Sequence, residues 1–334
     1  MLTVLRDLPH ELLDCETSEL DGILRGPTLI HLVGRRTEPL FVSVLLHGNE
    51  DTGLKAMQAV LRKYRNQVLP RALSVFIGNV AAARVGVRRL DAQPDYNRVW
   101  PGADEQGLPE HALMREVVAA MRVRGVFASI DIHNNTGLNP HYACVNRLDQ
   151  RFLHLARLFS RIVVYFRRPR GVQSMAFAEF CPAVTVECAK PGNVQSHAHA
   201  ADFLEACLRL TDFPQHPVPR HDRDLFETVA RIRVPLERSF RFGRGNSDIC
   251  FRPDLDHMNF RELAAGTVWG ELNSDLPRPL EILDNDSRDV FDEYFSVDVG
   301  QLTLLRPVMP AMLTLDGRAI REDCLCYLMQ KLDY

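Results

Sequence analysis

No apolar run in the 334-residue chain approaches the roughly 18 residues needed to span a bilayer. The first residues also lack the charged, then apolar, then small-residue succession of a secretory signal. These two absences predict a cytoplasmic protein with no membrane partner. Neither sign of charge is in excess: 40 Lys and Arg against 43 Asp and Glu leave a net charge of -3. That balance excludes the broad basic surface of a general nucleic-acid binder, and the short cluster Arg167, Arg168 and Arg170 reads as a solvated face. The eight cysteines include no C-x-x-C pair, and Cys324 and Cys326 stand too close together for a zinc knuckle, so reduced thiols are expected. Cys188 reads as a small buried residue rather than a nucleophile. Internal repeats and low-complexity tracts are missing as well.

What the sequence does contain is an alternation of apolar runs and amphipathic stretches between about residues 40 and 210. Leu40–Leu46, Leu73–Ile77, Val126–Ile132, Tyr142–Val145, Ile162–Phe166 and Val184–Val186 read as strands. Thr52–Tyr64, Glu110–Val123, Phe152–Phe159 and Ser196–Leu210 read as helices, the first with Leu54, Met57, Val60, Leu61 and Tyr64 on one face. Continuous apolar strands between such helices imply an α/β fold, with a mixed, largely parallel central sheet covered on both faces. The chain exceeds the roughly 250 to 300 residues of a single core, so a second domain is expected. A proline-punctuated segment over residues 212–219 separates the two textures, predicting a catalytic domain over 1–212 and a smaller β-rich domain over 220–334.

Polar residues with metal-ligating chemistry fall where these strands end. His47-Gly48-Asn49-Glu50 follows the first apolar run, and a His and a Glu three residues apart at a strand-to-helix junction can face one point. Asp131-Ile132-His133 ends another strand and offers a third ligand, while Glu187 closes the run Ala183–Val186. Ligand sites in open α/β sheets lie outside the carboxyl ends of the strands. Two His nitrogens and one carboxylate form a ligand set of catalytic zinc that leaves a position for water. Taken singly, each residue has a structural reading: a hydrogen-bonded His at a strand end, or a Glu serving the helix dipole. His197 and His199, two apart on a helix, make a poor metal pair.

With its segments in this order, the chain resembles the succinylglutamate desuccinylase and aspartoacylase group of the zinc carboxypeptidase superfamily. The resemblance runs from about Phe41 to Leu210, over His47–Glu50, Gly78-Asn79, Arg84 to Arg89, Asp95-Tyr96-Asn97-Arg98, Asp131–His133 and Val186-Glu187. It implies one zinc ion held by His47, Glu50 and His133, and Glu187 as the general base that takes a proton from zinc-bound water. It implies Arg88 as the cation beside the oxyanion, but Arg89–Pro94 is longer than the family's segment, which leaves Arg89 and Arg84 open for that role. Asn97 and Arg98 match the pair that grips the substrate's carboxylate, a task suited to the planar guanidinium fork. The expected activity is hydrolysis of the amide of a small anionic N-acyl amino acid, with the second domain partly covering the cleft. The alternatives are a carboxypeptidase acting on peptides and a degenerate member that only binds. Acyl group, amino acid and oligomeric state are not legible.

Overall fold

The apolar run Leu40–Val44 forms the buried end of an eleven-residue strand, around which the first part of the protein is built. The structure, a computed structural model, describes residues 1–273 and 276–334. Two units are resolved by internal packing: Met1–Asn134 with His141–Asp224, and Asn135–Pro140 with Leu225–Tyr334. The strands of the first unit are β1 (Thr3–Leu5), β2 (Thr28–Leu32), β3 (Gly34–Val44), β4 (Leu69–Ile77), β5 (Ala128–Asn134), β6 (Tyr142–Val145), β7 (Ile162–Tyr165) and β8 (Ala183–Cys188). Its helices are α1 (Leu20–Ile23), α2 (Thr52–Lys63), α3 (Val80–Val85), α4 (Pro109–Arg124), α5 (Gln150–Phe159), α6 (Gln173–Phe177) and α7 (Val194–Arg209). Strand order is β1-β2-β4-β3-β5-β8-β6-β7. All neighbours run parallel except β2 with β4 and β6 with β8.

Both faces of this sheet are covered, and the alternation of side chains shows how. Val44 and Ile132 point to one face, where Gly53 lets α2 approach so closely that a Cβ there would lie 2.8 Å from Val44. Phe41 points to the other, stacked on Phe177 of α6 with ring centroids 4.3 Å apart, and Trp100 meets Phe177 edge-on. Residues on this second face of β3, β5 and β8 include Ser43, Asp131, Thr185 and Glu187, so the functional side chains share the side capped by α6. The central strands are buried along their lengths, hence the unbroken apolar runs in the sequence.

One buried cation ties the far end of α7 to the sheet. Arg71 on β4 is 1% exposed, donates to the carbonyls of Glu38 and Leu210 at 2.9 Å each, and lies over the Phe127 ring at 3.6 Å. The Leu210 carbonyl just past α7 thus receives a charged donor, as the helix dipole favours. Phe213 continues the stack on Phe127, so the segment after α7 lies against the first unit.

The second unit is β-rich: β9 (Asp224–Arg233), β10 (Phe240–Phe242), β11 (Ile249–Phe251), β12 (Val268–Leu272), β13 (Glu281–Asp284), β14 (Phe295–Asp298), β15 (Gln301–Leu304), β16 (Met309–Ala311) and β17 (Cys326–Lys331), with short helices α8 (Phe291–Tyr294) and α9 (Gly317–Glu322). One sheet has the order β10-β11-β12-β15-β14, while β9 pairs with β13 and β17, and β17 with β16. Trp269, Phe251, Phe295 and Leu302 lie in its core. All eight cysteines are buried thiols outside any disulfide. Among the described residues no helix is long and apolar enough to cross a membrane.

Replacing Arg71 by Met removes the charged donor from the Glu38 and Leu210 carbonyls and the cation from the Phe127 ring. The expected loss is about 2–4 kcal/mol of unfolding free energy, read by urea denaturation. A change below about 0.5 kcal/mol, the scale of a neutral surface substitution, contradicts the clamp.

Candidate metal and catalytic site

The chain leaves β3 through Leu45, a fully buried residue with φ of 54°. A leucine in the left-handed region costs about 1–3 kcal/mol, so the turn is a place of stored strain. Its carbonyl accepts from the Asn79 N–H at 2.6 Å, which fixes the turn against the end of β4. Gly48 then passes so near α3 that a Cβ would fall 2.2 Å from the Ala83 nitrogen, and only glycine fits. The Gly48 N–H donates to the Arg88 carbonyl at 3.1 Å, which holds the arginine-bearing loop beside the His47–Glu50 segment.

From this turn His47 and Glu50 converge with His133 at the end of β5. One ligand atom from each lies within 4.8 Å of the other two, and all three residues are buried. Both imidazoles present Nδ1 to the same carboxylate: His47 to Glu50 Oε1 at 2.7 Å, and His133 to Oε2 at 2.7 Å. The outer nitrogens are held by further carboxylates, His47 Nε2 by Asp95 at 2.9 Å and His133 Nε2 by Asp131 at 2.7 Å. Such outer partners fix ring orientation and tautomer, so that Nδ1 of each ring is the atom that could ligate a metal ion. Ser43, opposite Asp131 in the β3–β5 register, donates to its second oxygen at 2.6 Å. The donor set therefore fits a divalent metal: two imidazole nitrogens, one carboxylate, and a supporting carboxylate behind each ring.

The charges are mutually dependent. Burial and Arg88 push the His47 proton affinity down, but Glu50 and Asp95 outweigh them and raise it. Burial likewise opposes protonation of His133, yet Asp131 and Glu50 hold its pKa well above the ordinary value. For Asp95, burial is overcome by Arg88, His47 and Arg98, which keep its carboxyl well below the usual range. Glu187 moves the other way: burial lifts it to about 7, against the pull of His133. Glu187 is the register partner of His133 on the neighbouring strand, so base candidate and ligand stand side by side.

The sequence-expected arginines separate clearly. Arg88 approaches Glu50 Oε1 to 4.0 Å and grips Asp95 through Nε and Nη2 at 3.2 and 2.8 Å. Arg89 turns to the Gln93 carbonyl, and Arg84 lies 3.6 Å from Asp21 on the surface. Asn97 is drawn into the site: its Oδ1 accepts from the Gln173 N–H at 2.9 Å, and its Nδ2 lies 3.1 Å from His133 Nε2. Arg98 donates to the Asn97 carbonyl at 2.9 Å. Trp100 packs edge-on to Phe76 and Phe177, and His141 bonds Ser196 at 2.8 Å while stacking on His199. Sequence reasoning passed over the orienting roles of Asp131 and Asp95. Asp131 had a signal, since i and i+2 on a strand share a face with His133. Asp95 had none, because its tie to His47 spans 48 positions.

A cation entering this cluster displaces the protons that His47 and His133 hold more firmly than free imidazole does. Apparent metal affinity should therefore rise with pH between 6 and 8, by about tenfold per unit for each proton displaced. Competition with a chromophoric chelator across that range measures it, and a flat profile contradicts the assignment.

Comparison with known proteins agrees with this architecture. The family profile described as the succinylglutamate desuccinylase/aspartoacylase catalytic domain matches residues 37–213. A search of curated proteins gives no match. Among solved structures, succinylglutamate desuccinylase from Chromobacterium violaceum is 16% identical with a TM-score of 0.57, over 90% of this chain and 86% of that one. Murine aminoacylase 3 is 15% identical with a TM-score of 0.57, over 89% and 95%. The product-bound ectoine utilization protein EutE (DoeB) from Ruegeria pomeroyi is 14% identical with a TM-score of 0.57, over 91% and 88%. At such identities the structures share a fold, whereas the profile spans more than half the chain. The protein belongs to the succinylglutamate desuccinylase/aspartoacylase family.

Proposed function

We propose that this protein is a zinc-dependent amidohydrolase that removes the acyl group from a small, anionic N-acyl amino acid or related amide, and that its first unit carries the catalytic machinery. The observation that carries the reading is the convergence of His47, Glu50 and His133 beside Glu187, a carboxyl raised by burial to about 7. Family membership supports amide hydrolysis. Two relatives of the same fold are named as a succinylglutamate desuccinylase and an aminoacylase.

His47, Glu50 and His133 would hold a zinc ion, which would supply Lewis-acid polarisation of the scissile carbonyl and lower the pKa of water. Glu187 accepts the proton of the attacking water and returns it to the nitrogen that leaves as the C–N bond breaks, a task suited to a carboxyl poised near neutrality. Arg88, anchored by Asp95 with its guanidinium facing the ligand cluster, stabilises the negative charge that develops on the carbonyl oxygen. Asn97 and Arg98 orient the anionic group of the substrate, Arg98 by charge and Asn97 by its amide.

Glu187→Gln should keep its metal while kcat for N-acyl amino acids falls about 10²–10⁴-fold, the usual contribution of a general acid–base group. Metal analysis and steady-state assays on a panel of N-succinyl, N-acetyl and N-aspartyl substrates test it. A metal-loaded variant with full activity sinks the mechanism, and wild-type release of C-terminal residues from peptides but not of acyl groups redirects it to a carboxypeptidase.

A further inference from the structure

The ends of β3, β5 and β8 lead to the ligands and the proposed base, and one buried side chain at the end of β5 joins the start of α2 to the segment leaving β8. Asn134 follows His133 directly and is 6% exposed. Its backbone N–H donates to Glu50 Oε2 at 3.2 Å, the same oxygen that meets His133. Its Oδ1 accepts from the Thr52 N–H at 3.2 Å, and its Nδ2 donates to Thr52 Oγ1 at 2.8 Å and to the Ala189 carbonyl at 2.5 Å. Thr52 opens α2 two residues after Glu50, and Ala189 lies two residues after Glu187. Asn134 thus satisfies an orphan N–H in the first turn of α2 from a distant strand, a cap no local residue provides. A second tie runs alongside: Asp51 Oδ1 accepts from the Gly192 N–H at 3.0 Å.

We propose that Asn134 is a positioning residue, whose carboxamide sets the placement of Glu187 relative to the ligand cluster by joining the start of α2 to the segment leaving β8. The inference rests on the deacylase reading for its kinetic consequence but not for its structural one. Only an amide does this work at the position. One end must accept from a backbone N–H while the other donates to a hydroxyl and a carbonyl, so a carboxylate places charge against the Ala189 oxygen and an alkyl group breaks every link. The backbone N–H to Glu50 survives substitution by any residue but proline, so the metal ligands keep that support while the segment leaving β8 loses one tether. A base displaced by about 1 Å costs up to about 100-fold in rate.

The test uses the intact protein with zinc supplied. In Asn134→Ala, amide hydrogen exchange of residues 188–193 should quicken about tenfold while that of 69–77 stays unchanged, as expected when one local tether is cut. Its kcat should fall about 10- to 100-fold, with KM within about threefold and the metal content of wild type. Thr52→Val removes the hydroxyl acceptor without changing size and should move both readouts the same way, while Thr52→Ser restores them; this pair decides the matter if Asn134→Ala does not fold. Unchanged exchange, unchanged kcat in a folded metal-loaded variant, or a parallel loss of metal and thermal stability each overturns the proposal. If wild type hydrolyses no N-acyl amino acid, the deacylase reading fails, and exchange alone then supports or overturns the tether.

Discussion

Both oxygens of Glu50 are occupied by imidazole nitrogens, and the rest of the site is arranged around that buried carboxylate. An ionised group removed from water demands compensation, and loss of one partner from such a cluster is far more costly than the cluster's net worth. Glu50 is compensated by His47 and His133, each of which needs its own carboxylate, Asp95 and Asp131. Asp95 in turn needs Arg88, and Asp131 accepts from Ser43. The result is a chain of alternating charges in which removing one member leaves its neighbour uncompensated.

The fold makes this chain possible by bringing parallel strand ends together. β3, β5 and β8 are neighbours in one sheet, so residues more than 50 positions apart arrive in register: Ser43 with Asp131, and His133 with Glu187. The charged side chains share the face capped by α6, and α2 covers the opposite face. Burial then has two outcomes in the same site. It is overcome at Asp95, where an arginine and an imidazole are at hand, and it prevails at Glu187, leaving one carboxyl with the proton affinity of a base working near neutrality.

Much of this was legible because it is local. The apolar runs gave the central strands, the 3.6-residue spacing in Thr52–Tyr64 gave α2, and the position of His47, Glu50 and His133 at strand ends marked three residues that the structure brings together. The short helix α6 was not anticipated; five residues carry too little periodicity, and its role comes from stacking on Phe41. The distinction between Arg88, Arg89 and Arg84 also depended on three dimensions, since it is the contacts of Arg88 with Asp95 and Glu50, against those of Arg89 with Gln93 and Arg84 with Asp21, that separate them. The tether made by Asn134 had no local signal, because its partners lie on segments 82 and 55 residues away.

The central claim is that His47, Glu50 and His133 form a metal site, and elemental analysis of exhaustively dialysed wild type beside His133→Ala tests it most directly. About one zinc ion per chain in wild type and little in the variant is the predicted result for a two-histidine, one-carboxylate site. A folded wild-type protein that retains no divalent metal, even after zinc is supplied, contradicts it.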